Sequence, residues 1–163
     1  MNIDSSKIKM IILDVDGTLT DGGIYILESG EQFKKFNAKD GLGVRRTIKS
    51  GVEVGIISHS MSKGMVTKRA EMMGIRHCYV GDEPKLKILK EWCEKMGYDL
   101  HEIAYVGDDI NDMDIISAVG ISACPEDSEE AVKDACNVVL TRKGGDGAVR
   151  EFLNMFFLKP TQF

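Results

Sequence analysis

Two acidic clusters in this 163-residue chain stand where carboxylates can do chemistry. Asp14-Val-Asp16 follows the apolar run Met10-Ile-Ile-Leu13, and Gly107-Asp-Asp109 follows Ile103-Ala-Tyr-Val106. If the backbone stays extended through Asp14 and Asp16, both side chains share one orientation, because a strand alternates with a period of two. One carboxylate can attack phosphorus while the other handles the leaving-group proton. Close carboxylates also suit a hard cation such as Mg2+, and Asp108 and Asp109 bring further oxygens from a second strand end. Such a cation would offset the repulsion between carboxylates and a phosphate. Ser58 adds a hydroxyl donor, Lys85 a positive charge, and the amides near Val15 and Asp16 an anion nest.

Taken singly, none of these residues is decisive. An Asp at a turn is commonly a cap, and an isolated Lys is usually solvated surface. Asp109 can anchor its loop, and Asp112 can orient the loop and cap a helix. The ordered set carries the argument: Asp14-Val-Asp-Gly-Thr18, then Ser58, then Lys85, then Gly107-Asp-Asp-Ile-Asn-Asp112.

The elements that must position this set alternate. Met10–Leu13, Val52–Ile57, Arg76–Val80, Ile103–Val106, Gly120–Cys124 and Asn137–Leu140 read as strands. Helices are expected over Lys39–Lys49, about Ser62–Met73, Pro84 to about Met96, about Asn111–Ala118, Ser128 to about Asp134, and Ala148–Phe156. Gly51, Gly74 and Gly97 punctuate three of their ends. Alternation of this kind predicts an α/β fold, a parallel sheet with helices on both faces, with the site beyond the carboxyl ends of the strands. Residues 22–36 differ. Ile24-Tyr-Ile-Leu27 and Gln32-Phe-Lys-Lys-Phe36 flank Glu28-Ser-Gly-Glu31, a hairpin signal too small for a domain and read as a flap. Gly144-Gly-Asp-Gly147 is expected to be a flexible loop. The length suits a single domain over 1–163.

These motifs resemble those of the haloacid-dehalogenase-like phosphatases, which have a Rossmann-like fold. The resemblance implies Asp14 as nucleophile and Asp16 as general acid/base. It implies Mg2+ held by the Asp14 carboxylate, the Asp16 backbone carbonyl and Asp108, with Asp109 and Asp112 in support. Ser58 and Lys85 match the second and third motifs. The small flap, Lys39-Asp-Gly41 and Gly144-Gly-Asp-Gly-Ala-Val-Arg-Glu151 look like the capless subgroup. That subgroup includes phosphatases for 3-deoxy-D-manno-octulosonate 8-phosphate and for nine-carbon 2-keto-3-deoxy sugar-acid 9-phosphates. It implies a homotetramer whose neighbouring subunits help cover each site. One departure stands out: Ser58-His-Ser60 replaces the usual Thr-Gly-Arg, so the arginine is gone. A related non-catalytic assembly module is the contrasting reading, and the retained Asp14, Asp16, Ser58, Lys85 and Asp108 argue against it.

Substrate contacts are sought in His59, Arg69, Arg142 and Lys143. Each has a plainer alternative: a helix cap for His59, a surface pairing near Glu71 for Arg69. Arg150 and Glu151 can pair locally or across a subunit boundary. Met61, Met65, Met72 and Met73 read as core and interface packing, Trp92 as core, and Phe152, Phe156 and Phe157 as core or as packing on a neighbouring subunit. The tail Lys159–Phe163 can cover a neighbour's site or stay disordered. The net charge of −5 and pI near 5.3 disfavour bulk attraction to nucleic acid or anionic membrane. No signal-peptide pattern or membrane-spanning run is seen. Cys78, Cys93, Cys124 and Cys136 lack metal or redox spacing, so reduced thiols in a cytoplasmic protein are expected.

Overall fold

The computed structural model describes residues 3–158. Six parallel strands form its main sheet: β1 (Met10–Leu13), β4 (Glu53–Ser58), β5 (His77–Val80), β6 (Ile103–Val106), β7 (Ile121–Cys124) and β8 (Val138–Val139). Their order is β5-β4-β1-β6-β7-β8. All four residues of β1 and of β6 are buried, which explains why these central strands read as continuous apolar runs rather than as alternations. The chain runs outward from β1 through β4 to β5, then crosses back to β6 on the other side. The carboxyl end of β1 is therefore a topological switch point, where an open sheet leaves a crevice.

Register decides what enters that crevice. Leu13 lies opposite both Ile56 and Val106. Asp14 is thus level with Ile57 and Gly107, and one residue further along stand Ser58 and Asp108. Three motifs remote in sequence meet at one sheet edge.

Helices cover both faces. α1 (Ala38–Lys49), α2 (Lys63–Met73) and α6 (Ala148–Phe156) pack over Ile11, Leu13, Val54 and Ile56, with Val44, Val66, Ala70, Phe152 and Leu153 filling that core. α3 (Lys85–Met96), α4 (Met113–Ile116) and α5 (Glu130–Ala135) cover Met10, Ile12, Ile57 and Tyr105 on the other face, with Leu89, Cys93, Ile115 and Val132. Phe152 is fully buried, so its truncation to Ala would cost ~3–5 kcal/mol. Phe156, Phe157 and Trp92 are partly buried and pack against these cores. Met73 is buried, but Met61 and Met72 lie exposed, so the expected methionine packing holds within this chain only in part. All four cysteines are free thiols.

Two expectations need correction. The helix sought over Asn111–Ala118 is shorter: Ile110–Asp112 is one tight 3-10 turn and α4 has only four residues. Asp109 caps that turn through its side chain, and a 3-10 turn there keeps the acidic loop close to the strand ends. Nor is Gly144–Gly147 a free loop. Gly144 and Gly145 are buried, and the Gly145 N–H donates to the Thr18 carbonyl at 3.1 Å. A Cβ on Gly144 would lie 1.8 Å from the Gly17 carbonyl oxygen, so only glycine allows this backbone-to-backbone approach.

The flap is a two-stranded antiparallel hairpin, β2 (Tyr25–Ile26) with β3 (Gln32–Phe33). The Tyr25 and Phe33 rings stack at 4.9 Å between centroids. Strands of two residues cannot bury much, and Ile24, Ile26, Leu27 and Phe33 remain exposed. The tail Lys159–Phe163 lies outside the described residues. Among the described residues, no helix is long and apolar enough to cross a membrane.

Candidate active site

Asp14 leaves β1 with its side chain nearly buried and its backbone N–H bonded to the Val106 carbonyl at 2.9 Å. Lys85, the first residue of α3, sends Nζ to Asp14 Oδ1 at 2.8 Å and to Asp112 Oδ1 at 2.5 Å. Asp112 is fully buried. Its Oδ1 also takes the Tyr105 hydroxyl at 2.5 Å, and its Oδ2 takes the amides of Asp108 at 2.9 Å and Asp109 at 3.4 Å. Thr18 donates to Asp108 Oδ1 at 3.0 Å. Gly17 has φ +81°, and a Cβ there would lie 2.0 Å from Asp108 Oδ2. The glycine of the first motif therefore serves both the turn and the close approach of Asp108.

Oxygens of Asp14, Asp108 and Asp112 come within 4.8 Å of one another. Three carboxyl groups face one ammonium, so ionising all three would leave two negative charges without a partner. Burial pushes the Asp14 carboxyl up to about 6, against the pull of Lys85. Burial, then the Asp14 charge, pushes Asp108 up to about 8. Burial alone would lower Lys85, but Asp14 and Asp112 outweigh it and hold the ammonium charged. An all-oxygen, electron-rich set with unmet charge fits Mg2+. When bound, that ion offsets the surplus charge and polarises a phosphoryl oxygen. Asp112 supplies charge while its own oxygens already accept four donors, which leaves Asp14 and Asp108 as the freer ligands.

Ser58 ends β4, buried, and its Oγ accepts the Ser60 N–H at 3.1 Å. It lines a cavity of about 180 Å³ with Asp14, Asp16, His59, Ser60, Asp109 and Asn111. That is phosphate-sized. A larger cavity of about 580 Å³ runs under the flap, and Asp16 and Ser60 line both.

Asp16 stands apart from the carboxylate cluster. Its Oδ1 pairs with the ammonium of Lys34, which projects from just beyond β3. His59 Nε2 lies 2.8 Å from the Glu83 carbonyl oxygen, beside the small cavity. The other basic residues are not gathered here. Arg69 donates to the Asn37 carbonyl at 3.1 Å and lies over the Phe36 ring, while Lys68 takes the pairing with Glu71. Arg142 and Lys143 are exposed. Glu151 caps the amides of Thr141 and Arg142 rather than pairing with Arg150, which reaches Asn154.

Sequence reasoning gave no role to Lys34 or Tyr105, and it noted Asp40 only within the Lys39-Asp-Gly41 motif. Tyr105 left a signal, since a tyrosine in an otherwise apolar buried strand needs a partner for its hydroxyl. Asp40 sits buried in the first turn of α1, accepts the Arg150 N–H at 2.7 Å, and is pushed up to about 6 by burial.

A buried carboxylate at the switch point, clamped by lysine and joined by cation-ready carboxylates, defines a metal-dependent phosphatase of the aspartate-nucleophile class. Residues 80–153 match the family model described as haloacid dehalogenase-like hydrolase. Over 154 residues the chain is 38% identical to the 3-deoxy-D-manno-octulosonate 8-phosphate phosphatase KdsC of Escherichia coli K12, spanning 94% of this chain and 81% of that protein. The crystal structure of the Yersinia pestis phosphatase of that name is 36% identical, with a TM-score of 0.89 over 93% of this chain and 82% of that one. The Moraxella catarrhalis phosphatase, solved in complex with a magnesium ion, a phosphate ion and a KDO molecule, is 34% identical with a TM-score of 0.89, over 93% and 87%. The chain belongs to the haloacid dehalogenase-like hydrolases, in the capless subgroup of the KdsC-like phosphatases.

Proposed function

We propose that this chain hydrolyses 3-deoxy-D-manno-octulosonate 8-phosphate, releasing the sugar acid and inorganic phosphate for lipopolysaccharide precursor synthesis in the cytoplasm. The observation that carries this reading is the complete carboxylate–lysine site within a chain 38% identical to KdsC along 94% of its length. The Asp14 carboxylate attacks phosphorus in line, and the bond from phosphorus to the sugar oxygen breaks. Asp16 gives that oxygen a proton. Asp16 then takes a proton from water as the water attacks the aspartyl phosphate, and the phosphorus–Asp14 bond breaks to return the carboxylate. Lys85 orients Asp14, and Ser58 donates to a phosphoryl oxygen. Asp14, Asp108 and the Asp16 main-chain carbonyl hold Mg2+, with Asp109 and Asp112 in support. Asp16 facing the larger cavity supports its place on the leaving-group side.

The exposed apolar residues of the flap support a homotetramer in which neighbours cover the site. His59, Arg69, Arg142 and Lys143 are the proposed substrate contacts within the chain. One observation favours a second substrate, a nine-carbon acid 9-phosphate (the deaminated nonulosonate or N-acetylneuraminate). The loop after β4 carries Ser58-His-Ser60 with His59 turned to the Glu83 carbonyl, and so brings no guanidinium to the cavity. Phosphate release with Mg2+ across the octulosonate 8-phosphate, both nonulosonate 9-phosphates and simple hexose phosphates decides between them. Preference for the eight-carbon acid upholds the assignment. Preference for a nine-carbon acid moves the chain to sialic-acid chemistry, and equal turnover of hexose phosphates refutes both.

A further inference from the structure

We propose that Tyr105 is a positioning residue for phosphoryl transfer, acting through Asp112 and Lys85; this rests on the aspartate-nucleophile reading of the site. Tyr105 is the third residue of β6 and is fully buried. Its hydroxyl donates to Asp112 Oδ1 at 2.5 Å and faces the Lys85 ammonium at 3.4 Å, where its oxygen can accept. An ammonium has three N–H bonds. Those of Lys85 face Asp14, Asp112 and the Tyr105 oxygen, so the lysine is held from three sides.

The same hydroxyl completes Asp112. Two donors reach Oδ1 and two backbone amides reach Oδ2, so the carboxylate cannot turn without breaking contacts on both oxygens. Because those amides belong to Asp108 and Asp109, the hydroxyl on β6 ties the lysine to the acidic loop. Tyr105 touches neither cavity, so its part is to hold other groups. Removing its oxygen leaves Asp112 one donor short and Lys85 one acceptor short in a place closed to solvent. The ammonium is then free to lean toward Asp112 and away from the nucleophile. A displacement of about 1 Å in a reacting group costs on the order of 10²-fold.

The test is Tyr105→Phe, which keeps the ring and hence the core packing. In saturating Mg2+, kcat on the best phosphate ester of the panel is expected to fall about 10- to 100-fold with KM within roughly threefold. In an Asp112→Asn background the same change should cost less than about threefold, since the one amide oxygen can serve either the Tyr105–Lys85 pair or the loop amides, which already breaks the route between them. A kcat within twofold of wild type overturns the proposal. So does a full loss in the Asp112→Asn background, which would make Tyr105 an independent packing residue, and so does loss of cooperative melting in Tyr105→Phe, which would make the hydroxyl a stability element. A wild-type protein silent on every ester overturns the phosphatase reading with it, whereas an active wild type beside an unaffected Tyr105→Phe overturns the positioning role alone.

Discussion

Replacing Lys85 with methionine keeps most of the length of the side chain and removes its charge. At an effective dielectric of about 20, unit charges 2.8 Å apart attract by ~6 kcal/mol, and Lys85 has two such partners. Desolvation of the ammonium offsets much of this, because all three side chains are at least nine-tenths buried. Breaking a buried pair from one side leaves the other charge stranded, which costs ~3–5 kcal/mol. At about 2–4 °C per kcal/mol for a domain of this size, the melting temperature should drop by roughly 6–20 °C near pH 8. The sign of the pH dependence follows from Asp14. Its carboxyl already stands at about 6, against an ordinary 3.8, and loss of Lys85 raises it further. The folded variant then binds more protons than the unfolded chain across that window, so the deficit is full above the folded value and shrinks as pH falls. Circular-dichroism melts at pH 5 and pH 8, with and without Mg2+, read this directly. Mg2+ should recover part of the loss, and turnover should fall ~10²- to 10³-fold, as for loss of an oriented electrostatic group. A melting point within 2 °C of wild type at pH 8, or a deficit that grows on acidification, would refute the reasoning.

Asp14→Asn should abolish phosphate release, by at least about 10³-fold, while the protein still melts cooperatively; measurable turnover near the wild-type rate would remove the nucleophile assignment. Asp108→Asn should raise the Mg2+ concentration for half-activation by about 10-fold or more, since a charged ligand is lost, and an unchanged metal titration would reject that role. Asp40 supplies a prediction remote from the chemistry. Its carboxyl stands at about 6 rather than 3.8, so its ionisation opposes folding. The penalty is absent below about pH 4, grows through the window and reaches ~3 kcal/mol above pH 6. Asp40→Asn keeps an oxygen for the Arg150 amide, so it should melt higher than wild type at pH 8 and equally near pH 4. A lower melting point at pH 8 would count against burial as the dominant cause.

What was legible in the sequence follows a physical division. Asp14, Ser58 and Asp108 could be grouped in advance because each follows an apolar run, and parallel strands deliver their carboxyl ends to one edge. The register then places Ser58 and Asp108 level with each other and one residue beyond Asp14. Helix ends at Gly74 and Gly97 were readable for a similar reason, since they depend on local backbone chemistry. The partners of Lys34, Tyr105 and Asp40 were not readable, even where the residue itself stood out, because they arise from contacts between elements whose relative placement periodicity does not encode. Gly144 shows the same limit. A glycine-rich run signals freedom when read alone, yet here it signals a backbone pressed against Gly17.

That contact has a consequence for how the site holds together. The Gly144–Gly147 loop leads into α6, and the Arg150 amide near the start of α6 donates to Asp40 on α1. Gly145 in turn donates to Thr18, whose hydroxyl holds Asp108. One face of the acidic cluster is thus braced from α1 and α6 through the Arg150–Asp40, Gly145–Thr18 and Thr18–Asp108 hydrogen bonds, and the other from β6 and α3 through Tyr105 and Lys85. Asp16 belongs to neither brace. Its partner is Lys34 on a hairpin of two-residue strands with an exposed apolar surface. The rigid half of the site is the half that must present a nucleophile and a cation in fixed geometry. The half that the proposed mechanism assigns to the leaving group is attached to the element with the least packing of its own, so a neighbour seated on that hairpin would also set where Asp16 points.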